Sequence, residues 1–194
     1  MTMTGKQGFQ PLADAEWPED IERLRAGFAG RLDVYRVMAR NPALVAAWEN
    51  FRNYTVLHST LGAELSEIVI IRTGFRRKAP YEIAHHIVRG RAAGLSDARI
   101  AVLCAEDGPQ SGDDGLLARA VDELAVEGRF SLDTTAALTE RLGEAGVMDV
   151  IATVGLYTTL SFIVNSFATP VDADIVASLT AQPFDGFDLP NTGR

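Results

Sequence analysis

Four polar side chains occupy one stretch of the chain at spacings suited to acid–base chemistry: Glu82, His85, His86 and Arg89. At about 100° per residue they fall within one stripe of a helix, and apolar residues cover its opposite side. Glu82 and His86 lie four residues apart and can form a hydrogen bond along the helix. A histidine beside a carboxylate is the usual equipment for proton transfer, so we predict a catalytic cluster. The alternative is a solvent-exposed helix face.

A second acidic residue, Glu67, directly precedes the run Ile68 to Ile71, whose residues are all β-branched and therefore also compatible with a strand. We predict a helix because Ala63, Glu67, Ile70 and Ile71 then share one face and no partner strand is apparent nearby. A carboxylate on an apolar face is costly unless it is paired or protonated. The pattern favours a Glu67–His86 acid–base pair, with a buried structural ion pair as the alternative.

Three residues are candidates for substrate contacts. Arg89, or Arg72 from the basic patch just before the predicted site helix, can bind a substrate carboxylate. Tyr81 lies one helical turn before His85, so it flanks the site or simply packs.

No metal site or cofactor is predicted. The third histidine, His58, lies on a different segment from the histidine pair, and two or three clustered ligand candidates are a weak metal signal. The single cysteine, Cys104, allows neither an intrachain disulfide nor a CxxC pair, and its apolar neighbours indicate a core position.

Composition narrows the class of protein. The 194 residues include 47% apolar and 23% charged residues, as in ordinary globular domains. A net charge of −8 argues against nucleic-acid or acidic-membrane partners, but it leaves room for a small-molecule substrate bound by a few arginines. No secretory signal is recognised, and one cysteine fits a reducing compartment, so we expect a cytoplasmic protein.

The patterning predicts an all-α protein with one domain. We expect a flexible arm over residues 1–18, a helical domain over 19–172 and a tail over 173–194. The predicted helices include 32–39, 61–75, 80–93, 116–127, 132–142 and 147–168. The last of these carries Asp149 and Asn165, which favours a buried or interface helix over a membrane span.

The stretches LSEIVIIRTGF (65–75) and APYEIAHHIVRGRAAGLSDARIAVL (79–103) resemble the carboxymuconolactone decarboxylase and alkyl hydroperoxidase D-like family. The resemblance extends over roughly residues 30–172. It implies the family's all-α helical bundle. It also implies a homo-oligomer, a dimer, trimer or hexamer, with pockets near the subunit contacts.

Peroxidase members of this family carry a Glu, then a CxxC pair, then a His. Glu67 and His86 match the Glu and the His, whereas Ala79 and Glu82 stand where the cysteines would be. Without a thiolate and a resolving partner, peroxidase-type antioxidant chemistry is not expected.

Decarboxylase members need no cofactor. The resemblance therefore implies a lyase that acts on a small carboxylated lactone or another ring-cleavage product of aromatic catabolism. Glu67, Glu82, His85 and His86 would be its catalytic residues, and Arg72, Arg89 and Tyr81 would bind the substrate. A non-catalytic binding or structural relative is the alternative.

Overall fold

The computed structural model describes residues 8–189, which contain helices and turns but no strand. The helices are α1 (Glu22–Arg25), α2 (Phe28–Arg31), α3 (Asp33–Met38), α4 (Pro42–Asn53), α5 (Gly62–Arg76), α6 (Pro80–Ala92), α7 (Asp97–Leu103), α8 (Gly112–Val126), α9 (Leu132–Phe167) and α10 (Ala173–Ala181). Two 3₁₀ turns, Asp14–Glu16 and Glu19–Ile21, precede α1, and a π-helical turn, Tyr54–His58, extends α4. The predicted all-α class is confirmed.

Local sequence signals set several helix starts. Asn41 accepts a hydrogen bond from the backbone N–H of Leu44, and Pro42 occupies the first turn of α4. Ser96 and Ser131 cap α7 and α9 in the same way. These caps fix where the helices begin and so set the register of the side chains they present.

Helix α5 is the centre of the fold, packed against α6, α8 and α9. Ile68, Val69 and Ile71 are fully buried along it. The β-branched run is therefore helical, as predicted, because neighbouring helices bury its side chains and this tertiary burial outweighs the strand preference of single residues. Gly74 lets α6 approach closely, because a Cβ there would lie 3.3 Å from the Cβ of Glu82.

The long α9 contains a break at Gly143, whose φ of 71° suits glycine best. The break separates the two helices predicted over 132–142 and 147–168. By length and composition α9 can cross a membrane, with a mean hydropathy of 1.8, but half of that apolar window is buried in the fold. The core helix of a soluble protein passes the same test.

Both ends of the domain differ from the prediction. Within the expected arm over 1–18, Leu12 and Trp17 are buried and the Trp17 indole donates to the carbonyl of Ile21, so residues 8–18 pack on the domain. Residues 1–7 and 190–194 lie outside the described part. The expected tail begins with a helix, α10, whose Ile175 and Leu179 are buried; two apolar positions were too short a pattern to predict it.

Candidate active site

Glu67 of α5 and His86 of α6 meet in the interior. The Nδ1 of His86 lies 2.6 Å from Oε2 of Glu67, and the His86 side chain is 1% exposed. A carboxylate accepts hydrogen bonds, so Nδ1 carries the hydrogen and Nε2 is left with a lone pair. The two segments that the sequence singled out are therefore adjacent in space.

Glu82 lies on the other side of the same imidazole. Its Oε2 is 3.7 Å from Nε2 of His86, and its Oε1 is buried without a hydrogen-bond partner in residues 8–189. Burial raises the pKa of Glu82 to about 8, Arg89 opposes that rise, and the charges of Asp172 and Glu67 add to it. The Glu82 carboxyl is thus mostly protonated at neutral pH.

The imidazole between the two acids is neutral. Burial lowers the pKa of His86, and the adjacent Glu67 carboxylate only partly opposes this. Glu67, His86 and Glu82 form what we call the acid row: a carboxylate, a neutral imidazole and a protonated carboxyl. This arrangement can give a proton from Glu82 and return one through His86. The polar stripe of α6 is buried, so the alternative of a solvent-exposed face is wrong.

His85 belongs to a second cluster, which departs from its predicted catalytic role. Its Nδ1 lies 2.8 Å from the carbonyl oxygen of Tyr81, and its Nε2 lies 2.8 Å from Oδ2 of Asp172. Because both partners are acceptors, both nitrogens must carry hydrogens, which makes the ring an imidazolium paired with Asp172. Neither nitrogen is free to exchange a proton with a substrate.

Asp172 also holds Tyr81. The Tyr81 hydroxyl donates to Oδ2 of Asp172, and its ring stacks on His85 with centroids 4.1 Å apart. Burial raises the pKa of Asp172, but hydrogen bonds from His85 and Tyr81 outweigh it, so the pKa lies below its usual value. The sequence did not reveal Asp172 because it is 87 residues from His85; its only signal is its place just before α10.

Arg72 does not reach this site, contrary to the predicted substrate contact. It is fully buried and directs its five N–H groups to the carboxylate of Asp122 and to three backbone carbonyls, those of Leu103, Ala105 and Glu106. All of its donors are taken by the fold, so Arg72 anchors α5 to α8 and to the loop after α7.

A narrow pocket opens beside the acid row, with about 330 Å³ of space that is partly open to solvent. The charged and imidazole side chains of its lining are Glu82, His85, His86, Arg89 and Arg52 of α4. The rest of the lining is aromatic and aliphatic and consists of Tyr35, Tyr81, Tyr157, Leu32, Val34, Val56 and Leu160, so the predicted Tyr81 also reaches the pocket. The sequence reading missed Arg52, Tyr35 and Tyr157, because nothing in their local patterns separates them from packing residues.

Both arginines of the pocket have unused donors. Within residues 8–189, Arg89 forms no hydrogen bond or ion pair. Arg52 donates from Nη1 to Oδ1 of Asn53 at 3.0 Å and lies over the Phe28 ring, but its Nε is buried without a partner. An unpaired guanidinium beside a pocket favours an anionic ligand, above all a carboxylate bound by two N–H groups. The pocket therefore combines a proton donor with two cations.

None of the residues that line the pocket is a cysteine. Cys104 does not line it, and burial raises the pKa of this thiol to about 11, which keeps it protonated. Among the described residues, no group of three or more His, Cys, Asp or Glu side chains is placed to hold a metal ion.

Comparisons with known proteins agree with this architecture. The chain is similar to the crystal structure of a cysteine-to-alanine variant of the debrominase Bmp8 in complex with 2,3,4-tribromopyrrole, with a TM-score of 0.65 and 14% sequence identity. The similarity covers 89% of this chain and 96% of that chain. At this identity the likeness shows the fold alone. No curated protein matches the chain.

The family comparison concerns the segment that carries the acid row. Residues 42–124 match the model of the carboxymuconolactone decarboxylase family. This segment runs from α4 to α8 and includes Glu67, Glu82, His86 and both arginines of the pocket. The resemblance seen in the sequence is therefore confirmed over residues 42–124, the segment that matches the model of the carboxymuconolactone decarboxylase family.

Proposed function

We propose that the protein is a cofactor-independent lyase that removes carbon dioxide from a small, unsaturated carboxylated lactone or a related ring-cleavage product. The observation that carries the proposal is the buried acid row beside a pocket with two arginines that form no ion pair within residues 8–189. A buried, protonated carboxyl next to a neutral imidazole is costly to maintain, and such perturbed groups concentrate at functional sites.

Binding is assigned to the two arginines. Arg89 and Arg52 hold carboxylate groups of the substrate, while the aromatic wall with Tyr35 and Tyr157 packs on its flat, conjugated ring. Charge pairing and ring packing together fix the orientation of the substrate relative to Glu82.

The reaction has two stages: loss of carbon dioxide with protonation of the product, and then reprotonation of Glu82. The bond between the ring carbon and its carboxylate breaks, carbon dioxide leaves, and the electron pair moves into the conjugated carbonyl to form an enolate. Glu82 delivers its proton to carbon, which restores the carbonyl and leaves a Glu82 carboxylate. Glu82 is then reprotonated through the imidazole of His86 by a proton taken up from bulk solvent, while Glu67 holds that ring in place, so that each turnover consumes one solvent proton and releases one carbon dioxide.

Release of carbon dioxide from carboxymuconolactone and related lactone acids tests the proposal. We expect His86→Ala and Glu82→Gln to lower kcat by about 10²–10⁴-fold, the usual contribution of a positioned proton-transfer group. His58→Ala and Glu127→Gln are matched controls, because both side chains are exposed and lie outside the pocket. Wild-type rates in both site variants, in protein with unchanged helical circular dichroism, would falsify the assignment.

The same assay separates the alternatives. A wild-type protein that releases no carbon dioxide from any lactone acid but binds one of them in the pocket would favour a non-catalytic relative. Peroxide consumption that depends on Cys104 would revive a thiol peroxidase, which the placement of Cys104 outside the pocket disfavours.

A further inference from the structure

Helix α9 lies outside the family segment 42–124, yet it supplies part of the pocket. Tyr157, which is 4% exposed, lines the cavity there, and its ring stands edge-on to His86 with centroids 5.0 Å apart and planes at 88°. The ring therefore sits directly beside the acid row.

The Tyr157 hydroxyl has no hydrogen-bond partner within residues 8–189, although the pocket lies next to it. Burial raises the pKa of Tyr157 well above its usual value, and the nearby carboxyl groups of Glu82 and Glu67 add to this rise. The hydroxyl is therefore a neutral donor at every physiological pH.

We infer that the Tyr157 hydroxyl donates a hydrogen bond to the enolate oxygen that develops when the substrate loses carbon dioxide, so that Tyr157 is a further catalytic residue of the proposed reaction. The site takes enolates of conjugated lactones as ligands. This inference rests on the proposed function for its chemistry, but enolate binding can be measured without turnover.

The other polar groups of the pocket are less suited to this task. Tyr81 and His85 already donate hydrogen bonds to Asp172, and His85 also donates to the backbone carbonyl of Tyr81. Glu82 must give its proton to carbon, and the arginines hold carboxylates. Of the two remaining phenols, Tyr35 interacts with Trp48 and Arg52, whereas Tyr157 stands beside the imidazole of His86. A fixed neutral donor there stabilises a charge that develops only during the reaction, which raises kcat more than it lowers KM.

Calorimetric titration with tetronate, a five-membered lactone that is an enolate anion at neutral pH, tests the inference directly. We expect Tyr157→Phe to weaken the Kd for tetronate by about 10-fold or more, the loss of one charge-assisted hydrogen bond. Thr159→Val is the matched control: it also removes a hydroxyl from α9, but Thr159 is exposed and bonds only the carbonyl of Gly155. Equal Kd values for wild type and Tyr157→Phe overturn the inference, and so does a wild type that does not bind tetronate at millimolar concentration.

A kinetic arm separates this inference from the proposed function. If lactone acids are decarboxylated, Tyr157→Phe is expected to lower kcat by about 10²–10³-fold with a smaller change in KM. Tyr157-dependent tetronate binding without any carbon dioxide release supports the enolate site and refutes the lyase. Normal carbon dioxide release and normal tetronate binding in Tyr157→Phe refute the role of Tyr157 and leave the lyase standing.

Discussion

The carboxyl group of Glu82 is buried where the protein lines the pocket, and this burial explains its protonation. One of its oxygens has no hydrogen-bond partner within residues 8–189, and the side chain is buried among Tyr35, His86 and Tyr157. An ionised carboxylate there would lose its hydration without full compensation, so the proton stays on. Arg89 reduces this preference but does not remove it.

The raised pKa of Glu82 makes a prediction about stability. The folded protein holds this proton up to about pH 8, whereas the unfolded chain releases it near 4.5. The native state is therefore stabilised less as the pH rises from about 4.5 to 8. We expect Glu82→Gln, which keeps the shape and removes the titration, to melt at least about 3 °C above the wild type at pH 8 and to lose that advantage at pH 4.5.

Thermal melts of both proteins between those pH values check this prediction, with the exposed Glu127→Gln as the control. Two melting curves that stay parallel across the range would mean that Glu82 is ionised in the folded protein. The same titration predicts that a lyase rate falls as the pH rises through about 8, because the proton donor is lost.

The acid row was predictable from the sequence, whereas the partner of Arg72 was not. Helical spacing placed Glu82 and His86 on one face, and the cost of an unpaired carboxylate on an apolar face pointed to a partner for Glu67. Arg72 was misassigned because a basic patch does not reveal its partners. Asp122, its acceptor, is 50 residues away.

At the level of elements, the π-helical turn Tyr54–His58 is held by one acidic residue of α9. The carboxylate of Asp149 accepts hydrogen bonds from the Tyr54 hydroxyl and from the backbone and hydroxyl of Thr60, each at 2.7 Å. The segment between these residues contributes Val56 to the pocket. Asp149 thus fixes one wall of the pocket, and π-helical turns are often found at functional sites.

We expect Asp149→Asn to loosen this segment, because an amide offers one acceptor oxygen where the carboxylate offers two. The predicted loss of stability is about 0.5–1.5 kcal/mol, the net contribution of a hydrogen bond, because Tyr54 and Thr60 are exposed and water can replace the lost acceptor. Hydrogen exchange followed by mass spectrometry should show faster exchange over residues 54–60 than in Glu144→Gln, which changes an exposed acid of the same helix. Identical exchange over that segment in both variants would show that Asp149 does not hold it.

Caps and periodicity explain why the central helices were predictable and the last one was not. Asn41-Pro42, Ser96 and Ser131 mark helix starts in the sequence itself. Helix α10 is short, and its apolar positions are buried because it packs against α6, a contact that the sequence does not reveal. The pocket wall from α9 was unpredictable for the same reason, because contacts between distant helices decide which side chains face a cavity.

On the surface of the molecule, several large apolar side chains are exposed. Leu57 is 61% exposed, Met148 62% and Phe162 57%, and they lie on the π-helical turn and on α9. Isolated exposed apolar residues are common on protein surfaces. The expected homo-oligomer, which would cover such positions, stays a prediction.

Asp172 connects three distant parts of the chain into one buried unit. It accepts hydrogen bonds from the backbone N–H of Asp33 at 2.9 Å, from Tyr81 and from His85. The start of α3, the site helix α6 and the segment before α10 are therefore tied together beside the pocket, which Tyr81 and His85 help to line. Removing the charge would take the counter-ion away from the His85 ring, which must then give up a proton and one of its two donated hydrogen bonds, because an unpaired charge is costly in a low-dielectric interior.

We therefore expect Asp172→Asn to lower stability by about 2–4 kcal/mol at pH 7, or about 5–12 °C in Tm. Because the pKa of Asp172 is lowered in the folded state, its contribution is present above the unfolded value of 3.8 and is lost as the pH falls below it, so the two melting curves should converge in acid. Asp174→Asn, an exposed acid two residues further along, is the control. Nitrogen NMR of the His85 ring gives an independent readout: two protonated nitrogens in the wild type and one in Asp172→Asn. Two protonated nitrogens in both proteins, with equal Tm, would mean that the imidazolium does not depend on Asp172 and that the three parts of the chain are held together by apolar packing alone.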